Sequence, residues 1–269
     1  MSELVERDQL AHAMEADELP YAYIAGLHQR FDVKLFNPAL DETATSRLSE
    51  QREIWNDTEA VTVFTSGAFD MLHMDHAAYL LHTKATGAPA LFKRMYGKAW
   101  GDLPAEWQVR FTTCALSSHR LRLIVSVDGD KSVATKKGNK PEYGNTTRPI
   151  YSWRTRALMV ASQAYMDPSD KDGVKLLPTA DAVTIHGPQD FPTDSPHASH
   201  FALVEYLQPN VWAFFGQSRE IPEEAPRRPA LGRVALRCIA DGPGTHYFED
   251  GFLGKISTTK IIERALGEL

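Results

Sequence analysis

The chain has 269 residues and a mass of 30.0 kDa, enough for one large α/β domain or a domain with an appendage. Its 29 Lys and Arg against 35 Asp and Glu leave a net charge of −6. That balance excludes a general polyanion binder, so no nucleic acid is expected as a partner. Two widely separated cysteines, Cys114 and Cys238, exclude a disulfide framework and a cysteine-based zinc site. No apolar run reaches the roughly 18 residues that span a bilayer, and the acidic N-terminus lacks the apolar core of a signal peptide. The expectation is a cytoplasmic protein with no membrane partner.

In chain order, residues 1–59 stand apart. Residues 1–60 carry 13 acidic and 5 basic side chains. Their apolar residues fall at helical spacing, broken at Leu19-Pro20 and Asn37-Pro38, which predicts a helical N-terminal extension. From about residue 60 to 269, short β-rich runs alternate with helical stretches. Strands are predicted at 61–65, 121–127, 181–185, 211–215 and 232–239, with helices at 75–83, 152–165, 198–207 and 258–269. A polar loop is expected from the second strand to Pro149. Residues 88–120 exceed what an αβ loop needs. They read as an aromatic-rich insertion at the rim of the site, with a helix over 104–117. Such alternation predicts a Rossmann-like α/β domain, a mainly parallel sheet covered on both faces. Ligands then sit beyond the carboxyl ends of the strands.

The first strand runs into GAFDMLHMDH, residues 67–76. Gly67 would permit a tight exit from the strand. His73 and His76, three apart at a helix start, share a face. Helix-start N–H groups and the helix dipole favour a phosphate. Two imidazoles there could donate hydrogen bonds to phosphoryl oxygens as charge grows in a transition state.

This stretch resembles the G-x-F-D-x-x-H-x-G-H signature of the cytidylyltransferase-like nucleotidyltransferases. Residues 256–261, ISTTKI, are similar to that family's second signature. Asp130, Ser132, Val133, Lys137, Gly138, the run Arg148-Pro149-Ile150 and Arg156 resemble the pattern of its sugar-phosphate branch, which includes glycerol-3-phosphate cytidylyltransferases and heptose-phosphate adenylyltransferases. The resemblance implies that His73 and His76 contact the triphosphate and stabilise the transition state. Ser257, Thr258 and Thr259 would bind its outer phosphates, with Gly67, Phe69 and Asp70 at the first turn and Gly216 and Gln217 beside the base. Lys137 would be catalytic, and Arg148 and Arg156 would face the substrate phosphate. Asp70 reads as an organiser of the turn rather than a general base. Mg2+ would accompany the triphosphate, with no protein metal site of its own.

Three departures stand out. Asp75 replaces the signature glycine between the histidines, Gln217 replaces a base-proximal Asp, and Lys255 stands where the cytidylyl branch carries Arg. ISTTKI favours CTP, whereas the segments at 130–133 and 148–150 pull toward ATP.

The expected reaction joins a nucleoside monophosphate from CTP or ATP to a phosphorylated polyol, sugar or amino-alcohol and releases pyrophosphate, in a possible homodimer. One alternative is a nucleotide-binding regulator impaired by Asp75. A remote one is a metallo-hydrolase using His73, Asp75 and His76. His186, His197 and His200 read as surface residues of a loop-like stretch. Seven basic side chains against one acidic in residues 131–156 concentrate positive charge where the resemblance puts the phosphates.

Overall fold

A computed structural model describes residues 34–35, 50, 53, 59–138, 147–170, 175–214 and 235–238. The expected ligands Gly216, Gln217, Ser257, Thr258 and Thr259, with Lys255 and the predicted helix over 258–269, lie outside the described residues.

The described strands build a Rossmann-like α/β fold around a parallel sheet. They are β1 (Lys34–Leu35), β2 (Val61–Gly67), β3 (Leu121–Asp128), β4 (Ala164–Met166), β5 (Leu176–Pro178), β6 (Ala182–His186), β7 (Val211–Phe214) and β8 (Ala235–Cys238). Six of them form one sheet in the order β1-β6-β3-β2-β7-β8, and every pairing in it is parallel. β4 and β5 make a separate antiparallel pair. The central strand β3 is an almost unbroken apolar run and buried nearly throughout, as a strand covered on both faces must be. The chain lays β3 and β6 on one side of β2, then returns to place β7 and β8 on the other. The switch point therefore lies between β2 and β7, and the ligand crevice beyond their carboxyl ends.

Alternation along the strands divides the core. Val61, Val63, Leu121, Leu123 and Val125 point to one face, where Leu80, Leu91 and Val160 cover them. Those three come from the helices α1 (Met74–Ala85), α2 (Ala88–Tyr96) and α5 (Trp153–Ala161). Phe64, Ile124 and Ala182 point to the other face, against Phe201, Leu203, Val204 and Leu207 of α6 (His200–Leu207) and Trp212 of β7. Gly87, between α1 and α2, lies directly on the sheet. A Cβ there would come within 2.5 Å of the Leu121 side chain and 2.6 Å of Val63, so only glycine lets the chain turn so close.

The insertion forms α2, a 3-10 turn at Trp100–Asp102 and α3 (Ala105–Leu116). Phe92, Tyr96, Trp100 and Phe111 pack ring to ring between them. Phe92 is buried among them while Tyr96 stays exposed, and the ring contacts centred on Phe92 hold the inserted helices together.

Three elements differ from expectation. The predicted loop after β3 instead contains α4 (Asp130–Lys137). Only Ser132 and Val133 of it are buried, too few for an apolar stripe to announce a helix. The helix predicted over 152–165 ends at Ala161, and the chain enters β4. The extension expected to be helical contributes the edge strand β1, paired with Ala182 and Val183 of β6, while residues 50 and 53 are helical. A two-residue strand exists through its distant partner and has no local signature. Among the described residues, no helix is long and apolar enough to cross a membrane.

Candidate active site at the carboxyl edge of the sheet

β2 ends at Gly67, and the left-handed residues of the turn that follows lie beyond it. They are Phe69 (φ 48°) and Met71 (φ 58°), in a conformation costly for bulky L-residues and characteristic of functional turns. Gly67 provides room: a Cβ would lie 3.1 Å from the Phe69 ring, which folds back over it.

The turn delivers His73 to the N-cap of α1, extended at φ −136° and without a side-chain cap. His76 follows one turn on, so the rings stack with centroids 4.0 Å apart. The Phe69 ring stands edge-on 5.6 Å from His76. The Nδ1 atoms of both histidines are buried and accept or donate no hydrogen bond among the described residues. Such atoms are costly unless a ligand completes them. Burial pushes the His76 pKa down to about 3, helped by the Lys137 ammonium and by repulsion from His73 whenever that ring is protonated. Burial also lowers that of His73, partly opposed by Asp75, whose carboxylate lies 3.9 Å from His73 Nδ1. Both rings are thus neutral at physiological pH, and each can donate through one N–H.

Asp70 is 4% exposed. Its carboxylate accepts from Arg148 Nη1 at 3.0 Å and from the backbone N–H groups of Ile150 (2.9 Å) and Tyr151 (3.2 Å). It fastens the loop before α5 to the turn after β2. Arg148 points to this carboxylate and is itself 4% exposed.

Arg156, expected against the substrate phosphate, lies deep in the fold. It is fully buried. Nε donates to Tyr151 O at 3.0 Å, and Nη2 to Asp128 O and Asp130 Oδ1, both at 2.7 Å. Nη1 donates to Ala68 O. One guanidinium therefore ties together the exits of β2 and β3, the start of α4 and the lead into α5. Its fork is committed to protein oxygens at the carboxyl edge of the sheet.

Lys137 closes α4. Burial depresses its pKa; Asp128 and Asp70 counteract this, while Arg148 and Lys136 add to it. It belongs to the charged group that also acts on His76. Asp130 and Ser132 hold α4 rather than a ligand. Asp130 pairs with Arg156, and Ser132 donates to Asp190 Oδ2 at 2.8 Å. Asp190 also accepts the N–H groups of Lys131 and Ser132, as a carboxylate at a helix start should.

Four residues escaped the sequence reading: Asp128, His186, Ser126 and Asp190. Asp128 had one available signal, a carboxylate directly after an apolar strand, at the end where ligands gather. His186, expected at the surface, ends β6 and is 1% exposed; His197 is 0% exposed, with Nδ1 2.8 Å from Ile185 O. His186 is carried inward at the end of β6, whereas His197 lies in the segment before α6 and reaches back to the β6 backbone. Among the described residues no group of three His, Cys, Asp or Glu is arranged to hold a metal, His73, Asp75 and His76 included.

No family model matches the chain. It is 31% identical over 105 residues to the bifunctional protein HldE of Helicobacter pylori strain HPAG1, covering 39% of this chain and 14% of that protein. To HldE of Helicobacter pylori strain ATCC 700392 / 26695 it is 28% identical over 128 residues, covering 48% and 19%. The chain spans less than a fifth of the length of these relatives. Among solved structures, a lipopolysaccharide core biosynthesis protein from Thermoplasma volcanium GSS1 superposes with a TM-score of 0.38 and 15% identity. That superposition covers 67% of this chain and 96% of that one.

Proposed function

We propose that the protein is a nucleotidyltransferase that joins a nucleoside monophosphate, from CTP or ATP, to a phosphorylated small molecule. The observation that carries this reading is the stacked pair His73 and His76 at the start of α1, with buried Nδ1 atoms awaiting partners. The similarity of part of the chain to HldE proteins supports a sugar-phosphate nucleotidyltransferase-like function.

In the reaction, an anionic phosphate oxygen of the acceptor attacks the α-phosphorus. The new P–O bond forms as the bond to the departing pyrophosphate breaks in line. The nucleophile is already charged, so no strong base is required and the work is positioning and charge neutralisation. His73 and His76 donate N–H groups to the α-phosphoryl oxygens as charge builds there, and Lys137 neutralises the acceptor or leaving phosphate. Magnesium arrives with the triphosphate as part of the substrate.

A pyrophosphate-release assay with the four nucleoside triphosphates and a panel of phosphate esters tests the reading. Turnover with CTP or ATP is expected. His73→Ala should lower kcat by about 100-fold or more, the usual cost of a lost transition-state donor. Triphosphate binding by calorimetry without turnover on any ester would instead favour a nucleotide-binding regulator. Full activity in His73→Ala would overturn the site.

A further inference from the structure

The inserted helices α2 and α3 enclose a cavity of about 550 Å3 between them, within the ~300–1,000 Å3 usual for small-molecule sites. Its floor is apolar and closed, because Leu91, Phe92 and Ala115 are buried. Its mouth is open: Met95, Tyr96 and Trp107 line it although they are 42%, 55% and 55% exposed. A contiguous apolar surface left open in this way marks a binding site. The cavity is remote from the histidines. Ser118 and Arg120, which also line it, immediately precede β3, and Leu121 pairs with Val61 at the amino end of β2. Arg94 of α2 donates to the Ala60 carbonyl at the same edge. His73 follows the opposite end of β2, on the order of 20 Å away along the strand.

The charge around the cavity selects its occupant. Residues 88–122 hold six basic side chains against two acidic, in a chain whose net charge is −6. Two of the six, Arg110 and Arg120, line the cavity. Arg110 pairs with Glu106 at 2.7 Å and Arg120 with Glu59 at 2.9 Å, and all four side chains are exposed. Exposed pairs of this kind contribute little, so a ligand carboxylate displaces them readily. A guanidinium fork receives a carboxylate through two parallel N–H bonds. Arg110 also lies over the Trp107 ring, its Cζ 5.3 Å from the centroid, which sets cation and aromatic wall side by side. Phe92, Tyr96, Trp107 and Phe111 give that wall four rings, which favour a flat aromatic body through offset and edge-to-face contacts. We propose that this cavity binds a small aromatic carboxylate, its ring among the four aromatic side chains and its carboxylate on Arg110 and Arg120. It is a second site, separate from the crevice at His73.

Calorimetry on the full chain tests this with three probes of one shape: 2-naphthoate, 2-naphthalenemethanol and protonated 2-naphthalenemethylamine. The carboxylate should bind about tenfold or more tightly than the alcohol, the scale of charge-assisted hydrogen bonds, and the ammonium more weakly than either. Arg110→Gln combined with Arg120→Gln should erase that order, and because both side chains are exposed the variant should fold. Cys114 lies in the lining and is exposed. 2-Naphthoate should therefore slow its alkylation by N-ethylmaleimide, followed by peptide mass mapping, over the concentrations at which it binds. Equal affinity of the three probes would overturn the proposal, as would an unchanged order in the arginine variant or no protection of Cys114. Protection of Cys114 by ATP or CTP would assign the cavity to the nucleotide and overturn it too. So would a Cys114 already shielded in a protein that sediments as a dimer, which would make the cavity a subunit interface. Neither readout uses turnover, so this proposal and the nucleotidyltransferase reading fail separately.

Discussion

Asp70 and Arg148 meet at 3.0 Å with both side chains 3% exposed, joining the turn after the first central strand to a loop 78 residues later. Asp70 lies three residues before His73, so the turn that leads to the histidines is braced by a buried charge pair as well as by the apolar packing of Phe69 and Leu72.

Breaking this pair leaves a charge buried alone, which typically costs about 3–5 kcal/mol. Arg148→Met and Asp70→Asn are each expected to destabilise by that order in urea unfolding. The double variant should be less costly than the two losses summed. Additive losses would show that the two side chains act independently.

Arg156→Lys keeps the charge and loses the fork. A lysine cannot reach Ala68, Tyr151, Asp128 and Asp130 at once, so a stability loss of about 2–4 kcal/mol is expected from the abandoned acceptors. Because the Arg156 guanidinium is buried and bonded to protein oxygens, urea unfolding should register the change while triphosphate affinity, measured well below the unfolding midpoint, moves little. A selective loss of affinity at unchanged stability would return Arg156 to the substrate.

His76 makes stability pH-dependent. Its pKa is about 3 in the folded protein against 6.5 for an ordinary histidine, so below pH 6.5 the unfolded chain binds a proton that the folded chain refuses. The folded state loses ground as pH falls from 6.5 toward 3 and is unaffected by this group above 6.5. His73, His82 and His197, also depressed by burial, act in the same sense. Asp128 acts lower. Burial alone would raise its pKa, but the hydrogen bond and charge of His186, with Lys136 and Lys137, hold it below the usual carboxylate range. Its contribution persists until acid protonates it. Thermal midpoints across about pH 5 to 8 should fall on acidification, and His76→Gln should flatten the slope. An unchanged slope would mean that His76 is not held neutral.

Asp75→Gly removes a half-exposed carboxylate 3.9 Å from His73. Removing like charge from an anion site should tighten triphosphate binding by roughly three- to tenfold, more at low salt than at high. The same affinity at both ionic strengths would show that Asp75 is a bystander in binding.

Much of the scaffold is legible in the chain itself. β2, β3, β6 and β7 are short apolar runs bounded by polar turns, and their observed limits fall within a residue or two of the predicted ones. Burial on both faces leaves little room for any other pattern. The approach of His73 and His76 follows from a spacing of three at a helix start, because helical geometry is local. Other features had no local cause. α4 buries two residues and is held by Asp190, more than fifty positions away. In the sequence Arg156 is read through its resemblance to a substrate-phosphate position, and nothing local announces its protein partners. Its role appears only when the parallel sheet brings the carbonyls of Ala68 and Asp128 within reach of one guanidinium.

The charge that opened the sequence reading divides along the same line. Composition determined a net −6 and a basic segment at 131–156. Tertiary structure decided where those charges point: Arg148 and Arg156 turn inward to carboxylates and carbonyls, while Lys137 remains with the histidines at the crevice. Sequence spacing specifies neighbours only within a turn or two of chain. Which buried group answers which charge is determined by strand order, because desolvation forces each buried ion to find its partner wherever the sheet brings it.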